Sequence, residues 1–316
     1  MKKLTSVYIL LLAFCLCGCQ SNTVNTDTQF VLDTVAKLTA DCSSETLNSA
    51  FELCRDYEKL LSRTKKESAV YKLNNSNGFI ETDAETLKII ERSIYFSKLS
   101  DGKFDITILP VSSLWDFNNQ IVPPKDEIAE ALKNIDYEAI EIVGEEINLN
   151  GKKIDLGSIA KGYIADKTKD FLLKNGATKG IVNLGGNVVV FGKEYKIGIQ
   201  KPFSDSIAAN LYLKDKSVVT SGIYQRYIET DDRLYHHIID PETGYGVENE
   251  LASVTVIGNS SMDCDALSTV CMLVGTEKAT EIINSITDTE AVFIDKNGKL
   301  TYTDGLIMKK DNIYLK

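Results

Sequence analysis

The chain has 316 residues, 43% hydrophobic and 25% charged, with a formal net charge of −10. That balance is ordinary globular material, long enough to bury a core as one large domain or two closely packed ones. So acidic a surface excludes nucleic acid as a partner, because a polyanion is repelled by it.

Lys2 and Lys3 precede an apolar stretch from Val7 to Leu16, and the run LCGC ends at Cys19. The stretch is too short to span a bilayer and carries the basic flank of an export signal. LCGC resembles a bacterial lipobox, with small Gly18 before the cysteine, which implies a signal peptide over 1–18 and a lipid on Cys19. Its removal takes away two lysines and no acids, moving the formal charge from −10 to −12. The mature chain is then expected in the cell envelope, lipid-anchored to the membrane and facing outside the cytoplasm. Residues 19–29 are polar and lack apolar periodicity, so they are expected to form a flexible tether before a folded domain over 30–316.

The β-branched and apolar run at 28–40 predicts a strand, and the helical spacing of Leu47, Phe51, Cys54, Tyr57 and Leu61 predicts a helix over 43–62 with Ser43 or Ser44 as N-cap. A second helix is expected from Asp83 to Ser100. The segment 101–117 predicts a strand stopped by Pro110 and leading into a loop that carries the only tryptophan. After Pro123-Pro124 a short helix (Asp126 to Lys133) and two or three short strands are expected. A helix then runs from Ser158 to Lys174, closed by Asn175-Gly176. Residues 179–192 predict strand, Gly-rich turn, strand, and strands continue through 195–257. Two helices (Met262 to Val274, Glu277 to Ile286) and a set of short strands complete the chain. Hairpin signals outnumber parallel crossovers, so the fold class is α+β, with mixed or antiparallel sheets and flanking helices.

Cysteine usage adds little. Cys42, Cys54, Cys264 and Cys271 form no CxxC pair and have no histidine at ligand spacing, which excludes a zinc centre. Cys42 and Cys54 are open to pairing in an oxidising compartment. Cys264 and Cys271 stand about 10.5 Å apart along a helix, too far for a disulfide.

Four glycine segments stand out: DLGSIAKGY (155–163), NLGGN (183–187), TSGIY (220–224) and DPETGYG (240–246). In the first, a turn runs straight into a helix with Lys161 in its first turn, so free amides, helix dipole and ammonium together favour an anion such as a pyrophosphate. Neither GxxxxGK[ST] nor GxGxxG occurs, so the P-loop and the dinucleotide fingerprint are absent. In SSMDCDALSTV (260–270), Asp265 and Thr269 are i, i+4 neighbours on one helix face, two oxygen donors suited to a hard cation such as Mg²⁺. The only histidines, His236 and His237, stand together in HHIIDPETGYG and are the side chains suited to proton exchange near neutral pH.

Taken in order, LDT (32–34), LSRTKKESAVYKLN (61–74), GKFDIT (102–107), DLGSIAKGY, NLGGN, the TSG and Tyr224 block, HHIIDPETGYG and DCDALSTV (263–270) resemble the ApbE family, the FAD:protein FMN transferases, along essentially the whole mature chain. The resemblance implies an α+β, T-fold-like architecture and a Mg²⁺-dependent enzyme. Such an enzyme splits FAD and joins FMN to a Thr or Ser hydroxyl of an acceptor flavoprotein in an exported or membrane electron-transfer system, releasing AMP. Carried over by position, the metal ligands are Asp265, Thr269 and the backbone carbonyl of Ser158. The FAD contacts are Leu32, Lys103, Phe104, Asp105, Asp155, Lys161 and Ile239, and the general base is His237. Asp155 would orient either Lys161 or a flavin hydroxyl. Thr64 stands where the family usually has an aromatic residue, a loss that stacking by Tyr224 or Phe104 would compensate. Two rival functions use the same site: an FAD pyrophosphatase giving FMN and AMP, and a non-catalytic flavin-binding lipoprotein.

Overall fold

The computed structural model describes residues 23–316 apart from residue 232; the signal peptide, Cys19 and the first residues of the expected tether lie outside the described residues. In chain order the elements are β1 (Asn25–Val31), β2 (Thr34–Ala40), α1 (Ser44–Leu60), α2 (Ala69–Asn74), β3 (Ile80–Glu81), α3 (Ala84–Leu99), α4 (Leu109–Ser112), α5 (Lys125–Leu132), β4 (Glu141–Val143), β5 (Glu146–Asn148) and α6 (Ala160–Lys174). They continue with β6 (Gly180–Leu184), β7 (Asn187–Phe191), β8 (Tyr195–Gln200), β9 (Ile207–Leu213), β10 (Lys216–Gly222), β11 (Tyr227–Glu229), β12 (Leu234–His236), β13 (Leu251–Gly258), α7 (Ser261–Asn284), β14 (Glu290–Asp295), β15 (Leu300–Tyr302), β16 (Leu306–Lys309) and β17 (Asn312–Leu315).

An eight-stranded antiparallel sheet, in the order β1-β2-β6-β7-β10-β13-β14-β15, divides the molecule. Alternation along its strands sends successive side chains to opposite faces. Val189, Val219 and Val256 join α1, α3, α6 and α7 in the main core, while Val190, Val218 and Ile257 pack against the sheet β16-β17-β9-β8, whose β17–β9 pair is parallel. A third core, around Val111, Trp115, Ile128 and Ile239, sits beneath α4, α5 and the β11–β12 ribbon.

Most helix boundaries follow their caps. Ser43 accepts from the Thr46 amide at 3.1 Å and Asp83 from the Thr86 amide at 2.9 Å, and α6 stops at Asn175 before Gly176 at φ +88°. The expected interruption between two C-terminal helices falls at Gly275, whose φ of 78° breaks α7.

Two expectations need correction, and one open alternative is decided. The single strand at 28–40 is a hairpin, turned at Leu32-Asp33, and β1 takes in Asn25–Gln29, so the tether ends before residue 25. Residues 106–112 are a 3-10 turn (Ile106–Ile108) and α4, not a strand: Asp105 caps the turn and Pro110 stands in the first turn of α4, where no amide is needed. Cys42 and Cys54 are free, buried thiols.

Candidate active site

The strands lead several turns to one end of the sheet. β1–β2 turns at Leu32-Asp33 and the neighbouring β6–β7 hairpin at Gly185-Gly186, both on two residues with positive φ. A Cβ at Gly185 would lie 2.1 Å from Thr34 Oγ1, which is why glycine stands there. Asn187 follows that turn, and β10 ends beside it, with Val219 opposite Asn187.

The other wall is a junction of two helix starts. Gly162, in the first turn of α6, presses on α7 so closely that a Cβ would sit 2.2 Å from the Ser261 carbonyl oxygen and 2.7 Å from Asp265 Cβ. Asp166, one turn on, accepts from the amides of Ser261 (3.0 Å) and Met262 (3.1 Å), supplying the negative charge that a helix N-terminus favours. The Gly162 amide donates to Asp265 Oδ2 at 2.8 Å. Asp265 is only 5% exposed. Burial pushes its pKa up, and the Lys161 charge, the Gly162 amide and the facing Asn187 side chain pull it back. Asn187 Nδ2 is itself buried and falls short of a hydrogen bond, so it bears on the carboxylate only as a nearby dipole. Ser221 donates to Ser268 (2.7 Å), which donates to the Asp265 carbonyl (2.8 Å), tying the TSG segment to α7.

His237 follows the β11–β12 ribbon, in which Tyr227 pairs with His236. Its amide and its Nδ1 both lie on the Arg226 carbonyl, at 3.1 and 3.2 Å. A carbonyl only accepts, so Nδ1 carries the proton and Nε2 keeps a free lone pair. The ring is half-buried by surface yet closely surrounded by protein, and this burial lowers its pKa to about 4, with the cations Arg226 and Lys161 further opposing protonation. It is therefore neutral at pH 7. Lys161 is close enough for its charge to act on Asp265 and on His237 alike, which joins the three residues in one field. His236 is placed differently: its Nε2 donates to the Val247 carbonyl at 3.0 Å, its Nδ1 is buried without a partner, and burial lowers its pKa to about 4.

The remaining expected contacts fare unevenly. Leu32 sits at the hairpin tip with φ +58°. Ile239 is buried and bridges to Gly246. Lys103 is held by Asp240 at 3.2 Å and Glu242 at 2.7 Å, which ties the KFD loop to the DPETG turn. The Asp105 carboxylate accepts from the amides of Thr107 (2.7 Å) and Tyr137 (3.1 Å). The Phe104 ring is 2% exposed and packs on Phe96, so it cannot stack on a flavin in place of the aromatic missing at Thr64. Tyr224 is folded back over Gly222. Asp155 accepts from the Gly157 amide at 2.8 Å and pairs with Arg63 at 3.5 Å, so Arg63 is its cation, not Lys161. Arg63, Asn187, Ser221 and the Arg226 carbonyl were not singled out from sequence. Asn187 and Ser221 lie in marked glycine segments and Arg63 in the LSRTKKESAVYKLN block, whereas a backbone carbonyl leaves no signal in residue type.

Ser158, Asp265 and Thr269 offer only oxygen. Among the described residues no three carboxylate, imidazole or thiol groups cluster as a metal cage, so a cation here would rest on one carboxylate, one hydroxyl and one carbonyl, with ligand oxygens completing the shell. The buried Asp265, whose ionised form is disfavoured by desolvation, fits that role, because a bound cation reverses the penalty.

The ApbE family model matches residues 27–293. The FAD:protein FMN transferase of Klebsiella pneumoniae (strain 342) is 37% identical over 259 residues, 78% of this chain and 81% of that protein. That of Treponema pallidum (strain Nichols) is 31% identical, covering 83% and 80%. The crystal structure of the ApbE protein from Thermotoga maritima aligns with a TM-score of 0.82 at 30% identity, over 89% of this chain and 97% of that one. The apo flavinyl transferase ApbE of Pseudomonas stutzeri aligns at 0.78 and 26%, over 89% and 95%. With its fold, its ordered motifs and these relatives in agreement, the chain belongs to the ApbE family.

Proposed function

We propose that the chain is an FAD:protein FMN transferase, moving the FMN half of FAD to a Thr or Ser hydroxyl of an acceptor flavoprotein and releasing AMP. The observation that carries this reading is the pairing of a neutral imidazole, its Nδ1 proton fixed on the Arg226 carbonyl, with a lysine whose charge also reaches a buried carboxylate. A threonine hydroxyl is a poor nucleophile at neutral pH and needs a base within hydrogen-bond reach. Nε2 of His237 takes the hydroxyl proton as that oxygen bonds to the FMN phosphorus and the bond from phosphorus to the AMP oxygen breaks. Lys161 and the positive end of the α6 dipole offset negative charge on the pyrophosphate. Mg²⁺, held by Asp265, Thr269 and the Ser158 carbonyl, would supply further charge neutralisation at the phosphates.

A flavin carrier without catalysis has no use for a neutral base that shares a lysine's field with a buried carboxylate. A hydrolase would use the same groups with water as acceptor. The lipobox supports a location outside the cytoplasm, anchored by a lipid on Cys19, where an acceptor in an exported or membrane electron-transfer system would be met. Incubation of the purified chain with FAD, Mg²⁺ and a protein bearing an exposed Thr in a Gly/Ser-rich loop, followed by mass spectrometry, tests the proposal. Covalent FMN on that threonine is the expected result; free FMN alone would identify a hydrolase.

A further inference from the structure

On the face of the β11–β12 ribbon away from the base lies a groove with no part in the chemistry above. The loop between β8 and β9 lifts Phe203 to its edge, 53% exposed and at φ +56°, a conformation that aromatic residues rarely adopt. Its ring lies 5.8 Å from that of Tyr227 and 5.9 Å from that of Tyr224, the residues that bracket Arg226 and its His237-holding carbonyl. Ile223, Leu234, Val247 and His236 line the groove, and Lys296 and Arg233 stand at its rim. Arg233 is paired with Glu248, which also lines the groove, whereas Lys296 is exposed, forms no ion pair among the described residues, and has its charge reaching both His236 and Glu250.

We propose that this groove is a docking site for a segment of the acceptor protein: an apolar side chain seats against Phe203, and a neighbouring carboxylate pairs with Lys296. The proposal rests on the transferase reading, since only transfer to a protein calls for such a site. Three observations carry it. An exposed aromatic held in an unfavourable backbone conformation beside apolar side chains is the kind of group that anchors a protein contact. A local cation on a chain of net charge −10 selects an acidic segment that the rest of the surface repels. Consecutive residues of β12 face opposite ways, so His236 enters the groove while Tyr235 packs on Trp115, and the His237 ring, beside Phe117, lies on that Trp115 side of the ribbon. An extended segment rounding the ribbon needs on the order of 3–5 residues between its anchor and its hydroxyl, at about 3.3 Å per residue.

The test uses the mature chain and fluorescein-labelled peptides with one Thr in a Gly/Ser background and a Leu-Asp pair four residues to either side of it. Fluorescence anisotropy gives affinity, and mass spectrometry gives FMN transfer. One of the Leu-Asp peptides is expected to bind, and replacing its pair by Leu-Lys or Ser-Asp, or using Phe203→Ser or Lys296→Glu protein, is expected to weaken binding roughly tenfold while FAD affinity is unchanged. Lys296→Glu is expected to prefer the Leu-Lys peptide. Equal affinity across peptides and variants, or no binding at millimolar concentration, overturns the groove. Patterned binding without transfer leaves the groove standing and removes the transferase reading; transfer that ignores the pattern does the reverse.

Discussion

The Asp265 half of the site rests on two helices pressed into backbone contact, whereas the His237 half rests on a ribbon of two three-residue strands. In the first half, Gly162, Asp166 and Asp265 interlock α6 with α7 through buried amides. In the second, one carbonyl, that of Arg226, holds both the backbone and the ring of the base. A fixed anchor for charge thus faces a base carried on an element with few bonds to spare. The base is oriented by one local contact, and the carboxylate by the packing of the whole helical layer.

The largest effect is expected at the helix junction. Gly162→Val puts side-chain atoms where even a Cβ meets backbone at 2.2 Å, so the helices must part, with a loss of about 3 kcal/mol and of all turnover. Urea unfolding checks this, and an unchanged midpoint would show that the junction has room for a side chain. Asp265→Ala comes next: turnover is expected to fall at least ~10³-fold while FAD affinity changes far less. Relief of the buried charge is offset by the Gly162 amide left without its acceptor, so the variant should also lose about 1–2 kcal/mol of stability. Turnover near the parent rate would remove the metal from the mechanism.

On the ribbon side the expected effects are smaller. His237→Gln should slow transfer by roughly 10²–10⁴-fold without altering FAD binding. The pH dependence follows from burial. With its pKa lowered to about 4, His237 stays neutral until the medium is distinctly acidic, so the acid limb of the rate profile is expected near pH 4 and not near 6.5. The stability consequence has a definite sign. A histidine with a depressed folded pKa binds fewer protons folded than unfolded, so stability is lost as pH falls from about 6.5 toward 4 and is restored as pH rises. His236, buried with the same lowered pKa, adds to this loss. Thermal unfolding between pH 7 and pH 4 should show His236→Asn with a shallower decline than the parent; parallel curves would reject the assignment.

How far the site could be read from sequence divides along the same line. His237, Asp265 and Lys161 were legible because their residue types carry chemistry and because glycine turns and helix starts surround them. α1, α3 and α6 were legible through caps and 3.6-residue spacing. What escaped depends on geometry that residue type does not encode. The Ile106-Thr107-Ile108 run has the composition of a strand, but the half-buried Asp105 makes it a capped helical turn. The Phe104 ring, one of two aromatic side chains open to stacking in place of the residue missing at Thr64, packs into the core. Arg63, one residue from the substitution at Thr64, pairs with Asp155 across the fold, and nothing in the local pattern marks a partner so distant.

The Leu32-Asp33 turn was hidden for the opposite reason: two ordinary residues occupy positive-φ positions, where the adjacent hairpin uses Gly185-Gly186. The two turns lie side by side on β2 and β6 and differ in what they leave for a ligand. Gly185 is glycine because Thr34 leaves no room for a side chain. Leu32, by contrast, packs partly on the core while its backbone adopts a conformation that costs about 1–2 kcal/mol for a residue with a Cβ. Asparagine tolerates that conformation, so Leu32→Asn should trade the strain for the lost packing and shift stability by no more than about 1 kcal/mol. If the leucine is kept at the tip to touch FAD, FAD affinity should fall severalfold in this variant, measured by flavin fluorescence. A stability loss well beyond that bound, with FAD affinity intact, would assign Leu32 to the core and leave Asn187 and the Gly185-Gly186 backbone to line that edge of the site.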